Sequence, residues 1–157
     1  MKKRWTIISW ECRHKGKTLP QVLFCDPDWF FFMMEKKRFE DKGPIANEAK
    51  ELDLKSRHIR IPDKEGKDLV AEYHMYESTG KFFGMDIVPK NDEEEIETYC
   101  RKEVIDLSIP HQMKSYDKWG NSLLISQVKH YLFGSSSYVM TEKRCEAFFE
   151  DDNNFVL

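Results

Sequence analysis

The sequence predicts an α+β fold, a small antiparallel sheet packed with N-terminal and C-terminal helices. Three observations carry this. Helical apolar spacing dominates both ends of the chain. The one strong hairpin signal lies mid-chain, where Leu69 to Tyr76 and Phe82 to Val88 flank Ser78-Thr79-Gly80-Lys81. Helices, then strands, then helices follow one another instead of alternating, which argues against a parallel sheet. With 157 residues, one domain spanning 1–157 is expected, large enough to bury a core without disulfides.

The elements follow in order. Trp5 to Trp10 (WTIISW) is β-branched and aromatic and reads as a short strand, followed by a basic turn ending at Gly16 and Lys17. Thr18 suits the cap of a short helix with Pro20 in its first turn and Val22, Leu23 and Phe24 after it. Asp26-Pro27 restarts the chain as cap and first helical residue, and the helix is expected to run to about Arg38. Trp29 to Met33 are all large and apolar, more than one helical stripe hides. So this helix buries two surfaces or uses one side for binding. Lys42-Gly43-Pro44 breaks it, and Pro44 opens a helix with Ile45, Ala49 and Leu52 on one face.

Ile59 to Ile61 reads as a short extended piece, and residues 62–67 as a polar turn. In the hairpin 69–88, Ala71, Tyr73 and Met75 share one face, and Val70, Glu72, His74 and Tyr76 the other. Asn91 to Glu97 is an acidic loop or helix start. Val104 to Leu107 reads as the sheet's third strand, ended by Pro110. A helix is expected from about Trp119 to Phe133, stopped by Gly134, and a last one from Thr141 through Phe149.

Composition excludes several classes. The longest apolar run, Trp29 to Met34, is six residues, too short for a membrane span, so no membrane partner is expected. The basic start MKKRW has no apolar stretch after it, so no secretory signal is read. Cys12, Cys25, Cys100 and Cys145 form no C-x-x-C pair, and a cytoplasmic location with free thiols is expected. The net charge of −3 hides an asymmetry. Residues 1–60 carry 14 Lys/Arg against 9 Asp/Glu, +5, and residues 61–157 carry 11 against 19, −8. Only the N-terminal part suits a polyanion.

The stretch from Trp10 to Met34 resembles the small C-terminal domain of exodeoxyribonuclease X-like proteins. His14-Lys15-Gly16-Lys17-Thr18-Leu19 matches the centre of that domain's pattern, Val22 its helix core, and Asp26, Asp28, Trp29 and Phe30 its second half. The likeness covers residues about 8–38. It departs at Glu11-Cys12-Arg13, where the pattern has Gly-Lys, and Arg13 stands for the lysine. The remainder is similar to a small bacterial or phage protein family of unknown function, on His58-Ile59-Arg60-Ile61-Pro62, Val104 to Ser108 and Arg144 to Phe149. The resemblance implies an accessory substrate-binding role beside a nuclease.

No nuclease constellation is read from the sequence. Asp63-Lys64-Glu65 has the Asp-x-Glu letters but sits in a polar turn without the strand that a two-metal site needs. Pro27-Asp28 with Glu48-Ala49-Lys50 matches restriction-type letters, but both fall on expected helices. Cys12, His14 and Cys25 lack a nominated fourth ligand for a structural zinc, so no metal or other cofactor is expected.

The expected function is a non-catalytic nucleic-acid-associated accessory or binding protein, with DNA or RNA as partner. Arg13, His14, Lys15 and Lys17 form the basic turn that meets phosphate. Trp10 and Trp29 stack or buttress, and Lys36, Lys37 and Arg38 extend the surface. Alternatively Trp10, Val22, Trp29 and Phe32 form a small core that the lysines solvate. The competing function is a phage or mobile-element interaction protein that binds and inhibits a nucleic-acid-processing machine. Its acidic segments Asp92 to Glu97 and Glu150 to Asp152 would suit a protein partner with a basic surface.

Overall fold

Local chain chemistry sets the helices. A computed structural model describes residues 5–62, 67–91, 98–114 and 117–157. Helix α1 (Leu19–Leu23) starts after Thr18, whose backbone N–H donates to Gln21 Oε1 at 2.9 Å. Helix α2 (Pro27–Glu35) is capped by Asp26, whose carboxylate accepts from the Trp29 N–H at 3.3 Å. It ends earlier than the expected Arg38. Lys37 takes a left-handed φ of 56°, and the Lys37 and Arg38 N–H groups close back on the carbonyls of Met34 and Met33. That pair of bonds is a Schellman stop built without glycine. Helix α3 (Pro44–Ser56) buries Ile45, Ala49 and Leu52, as their spacing demands.

The α+β class holds, with two changes to the sheet. Strands β2 (Leu69–Met75) and β3 (Phe82–Pro89) form the expected hairpin. The third strand of that sheet is β4 (Thr98–Lys102), in the order β3-β2-β4. The residues expected in that place, Val104–Ile105, are β5, and they pair with β1 (Ile59–Arg60) in a separate two-stranded ribbon. Tyr73 explains the separation. Its hydroxyl accepts from the Asp106 N–H at 2.7 Å, which draws the chain across the sheet instead of along it. The expected N-terminal strand is also absent. Trp5 and Ile8 are buried in an extended segment whose ladder-like bonds are Ile8 N–H to Lys17 O and Gly16 N–H to Ile8 O, both 2.8 Å.

Pro110 starts rather than ends an element: helix α4 (Ile109–Met113) carries it in the first turn. Helix α5 (Lys118–Phe133) is capped by Asp117 and stopped by Gly134 at φ 84°. It lies beside edge strand β3, where Gln127 Oε1 accepts from the Met85 N–H at 2.8 Å and the Tyr131 hydroxyl from the Ile87 N–H at 3.4 Å. Helix α6 (Glu142–Glu150) is capped by Thr141 and leads into a 3₁₀ turn at Asp152–Asn154. The core is strongly aromatic. Phe24, Phe148, Phe149 and Phe155 pack with centroids 5.2–5.7 Å apart, and Phe30 meets Phe39 at 5.6 Å. The long apolar run of α2 thus buries two surfaces, through Trp29, Phe30 and Phe31, and leaves Phe32 exposed. The acidic stretch 92–97 and the Asp63-Lys64-Glu65 turn lie outside the described residues.

Candidate nucleic-acid interface

The basic turn is held from inside. Gly16 stands at φ 91°, a left-handed value that a side chain would strain, and this lets the chain return to Ile8. His14 is buried under the turn. Its Nε2 lies 2.7 Å from Asp26 Oδ2, its Nδ1 faces Lys17 Nζ at 3.4 Å, and its ring meets Trp29 edge-on at 4.9 Å. Asp26 is the hub. It accepts from His14, from Arg13 Nη1 at 3.5 Å, from Asn121 Nδ2 at 2.9 Å and from the Trp29 N–H. Burial alone would raise its pKa. The His14 hydrogen bond and charge, the Trp29 N–H and Arg13 outweigh burial and hold the carboxyl below the usual range.

These contacts sort the expected site residues. Arg13 is exposed at the rim, and Lys15 is exposed and ion-paired with Glu11. Lys17 is turned inward, against His14 and Cys25. Trp29 is 9% exposed, wedged between His14 and Phe39, so it buttresses and offers no face for stacking. Trp10 is half-buried against Phe39, with Lys42 Nζ 4.9 Å from its ring centroid. Lys36, Lys37 and Arg38 are all exposed at the end of α2.

A cleft of about 370 Å³ joins part of this set. Arg13, Asp26, Asp28, Trp29, Phe32, Glu35 and Lys36 line it. Phe32, 41% exposed, is the aromatic that reaches solvent there, a role the sequence reading gave to the tryptophans. Its acidic floor is tied down by hydrogen bonds from beneath. Asp28 is buried and accepts from His111 Nδ1 at 2.6 Å and from the Asp117 N–H at 3.2 Å. His111 Nε2 meets Glu35 Oε2 at 2.8 Å, and this hydrogen bond holds the Glu35 carboxyl below its usual range. Asn121 completes the network: its side-chain oxygen accepts from the Asp28 N–H at 3.0 Å while its amide donates to Asp26.

The sequence reading missed His111, Asp117 and Asn121. They lie 76 to 95 residues from their partners, and no spacing rule links them. Both nitrogens of His111 face carboxylates, so neither is open to take a substrate proton while Glu35 stays in place. Asp28 and Glu48, the restriction-like letters, serve packing: Glu48 accepts from the Thr6 N–H at 3.1 Å and its hydroxyl at 2.6 Å. Among the described residues no group of three His, Cys, Asp or Glu side chains is arranged to hold a metal ion. Of the acidic tail, Asp151 caps the 3₁₀ turn and Asp152 pairs with Lys55 Nζ at 3.2 Å. No helix of the described residues is long and apolar enough to cross a membrane.

Comparison with family models, curated proteins and solved structures finds no match for this chain.

Proposed function

We propose that the surface built by residues 8–38 binds nucleic acid, DNA or RNA, and that the protein acts as a non-catalytic accessory module. One observation carries the reading: Arg13, Lys36 and the exposed ring of Phe32 line a single cleft. Cations beside an exposed ring suit a phosphate backbone with an unstacked base. Asp26 and Asp28 are already engaged as acceptors by His14 and His111. Lys37 and Arg38, exposed just after α2, add further cations, while Lys15 is exposed but paired with Glu11. The resemblance of residues 8–38 to the exodeoxyribonuclease X-like domain points the same way.

Fluorescence anisotropy against labelled single-stranded DNA, duplex DNA and RNA tests the reading. The expected result is binding whose log K falls with log salt at a slope of about −2 to −4, as a few phosphate contacts require. Lys37→Glu with Arg38→Glu should reduce that slope. Phe32→Ala should weaken single-strand binding by about tenfold, the scale of one lost base stack. Absence of binding at low salt and about 10 μM protein, weaker than most non-specific binders manage there, would overturn it. Lys17 is a poor probe, since its amine is engaged by His14 and Cys25.

A further inference from the structure

A second cleft lies on other elements. It measures about 460 Å³ and runs between the end of β1, the C-terminal end of α5, α6 and the 3₁₀ turn. Among the described residues no acidic side chain lines it. Two arginines do, and neutral carbonyls orient both. Arg60 Nε donates to Asn153 O at 3.0 Å and its Nη2 to Phe155 O at 3.2 Å. Arg144 Nη1 donates to Val139 O at 2.6 Å. Neither forms an ion pair with a carboxylate among the described residues. A guanidinium has five N–H donors, so beyond these carbonyl bonds both groups keep donors for a ligand.

The cleft also has an aromatic wall. Phe133 and Tyr138 stack at 4.9 Å with planes 13° apart, and the Arg144 guanidinium carbon stands 4.6 Å from the Tyr138 centroid. Asn153 and Asn154 add amide groups to the lining. Two fixed guanidiniums call for a dianion. The stacked ring pair beside them offers aromatic surface to a ring on the same molecule. The volume suits a small organic ligand and far exceeds a lone phosphate.

We propose that this cleft binds a phosphate ester of an aromatic base, with Arg60 and Arg144 on the phosphate and the base against Tyr138 and Phe133. Two sources share this chemistry: a free mononucleotide and the phosphorylated end of a nucleic-acid strand. The site shares no lining residue with the α2 cleft, so it stands or falls separately from the function proposed above.

Calorimetric titration of the full chain tests the proposal with adenosine monophosphate, adenosine and inorganic phosphate. A short oligonucleotide with a 5′-phosphate or a 5′-hydroxyl forms the second arm. The phosphate ester should bind at least about tenfold tighter than adenosine or phosphate alone, and Arg144→Gln and Tyr138→Ala should each remove about tenfold. Arg144 is exposed, so its variant should keep the parent's circular dichroism and melting curve. If the strand end is the source, the 5′-phosphate should improve oligonucleotide binding in the parent and not in Arg144→Gln. The proposal is overturned if adenosine binds as well as its monophosphate, or if the folded variants bind like the parent. It is equally overturned if neither phosphorylated ligand binds more tightly than about 1 mM.

Discussion

Replacing Asn121 by alanine should destabilise the protein by about 2–4 kcal/mol, more than most point changes. The side chain is 6% exposed and makes two hydrogen bonds, accepting from the Asp28 N–H at 3.0 Å and donating to Asp26 Oδ1 at 2.9 Å. Alanine leaves the Asp28 N–H buried without that partner, which costs about 1–3 kcal/mol. Asp26 loses less, about 1 kcal/mol, because the Trp29 N–H still serves the same oxygen. Urea unfolding is the assay. With a slope near 2 kcal/mol/M, the midpoint should fall by about 1–2 M. Asn121→Asp sharpens the test. It keeps an acceptor for the Asp28 N–H but sets a carboxylate where an amide donor met Asp26. It should cost at least as much as alanine at neutral pH and recover partly as the pH is lowered. A loss below about 0.5 kcal/mol for alanine, the size of an ordinary surface change, would refute the view that this network ties α2 to α5.

Three further outcomes are expected. Because Asp26 is held below its usual range, its contribution is full above the unfolded value near 4 and is lost as pH falls through the folded value. Urea midpoints between pH 6 and 3 should therefore drop steeply for the parent and less steeply for Asp26→Asn. Lys37→Gly should relieve the left-handed strain at φ 56° and stabilise the fold by about 0.5–1 kcal/mol, read as a higher melting temperature; a lower one would contradict the Schellman stop. Burial, with Cys25 and Glu146 close by, pushes the Cys145 thiol up to about 12. Alkylation at pH 8 followed by peptide mass analysis should find exposed Cys25 labelled and Cys145 intact.

Local chemistry was legible in the sequence, and pairing at a distance was not. Asp26-Pro27, Thr141 and Gly134 mark helix ends because capping is decided within a few residues, and the structure has all three where expected. Ser78 to Lys81 gives the hairpin for the same reason. Val104–Ile105 has a strand's composition, but nothing in two residues says that its partner is Ile59–Arg60. Trp5 to Trp10 has strand letters without a neighbouring strand, since Ile8 is satisfied by the turn at Gly16 and Lys17. In the α2 cleft, Arg13 and Lys36 are legible as exposed cations, since charged letters at a turn and a helix end stay in water. Phe32 and Trp29 exchanged parts, because five adjacent large residues do not reveal which one the core leaves out. His111 and Asn121 are single polar residues in short or mixed patterns, and their meaning comes only from the partners that folding brings to them.

The contact of α5 with the sheet reaches beyond packing. The outward N–H groups of Met85 and Ile87 are met by Gln127 and Tyr131 of the protein's own helix. An edge with open N–H groups is a template on which a foreign or misfolded strand can grow. Other proteins guard such an edge with lysine, proline or a bulge; here two helical side chains stand in for the missing neighbour strand. Self-association by strand addition at β3 would first have to strip those side chains away. The sheet is therefore blunted on this flank against the growth that leads to fibrils, for as long as α5 stays docked.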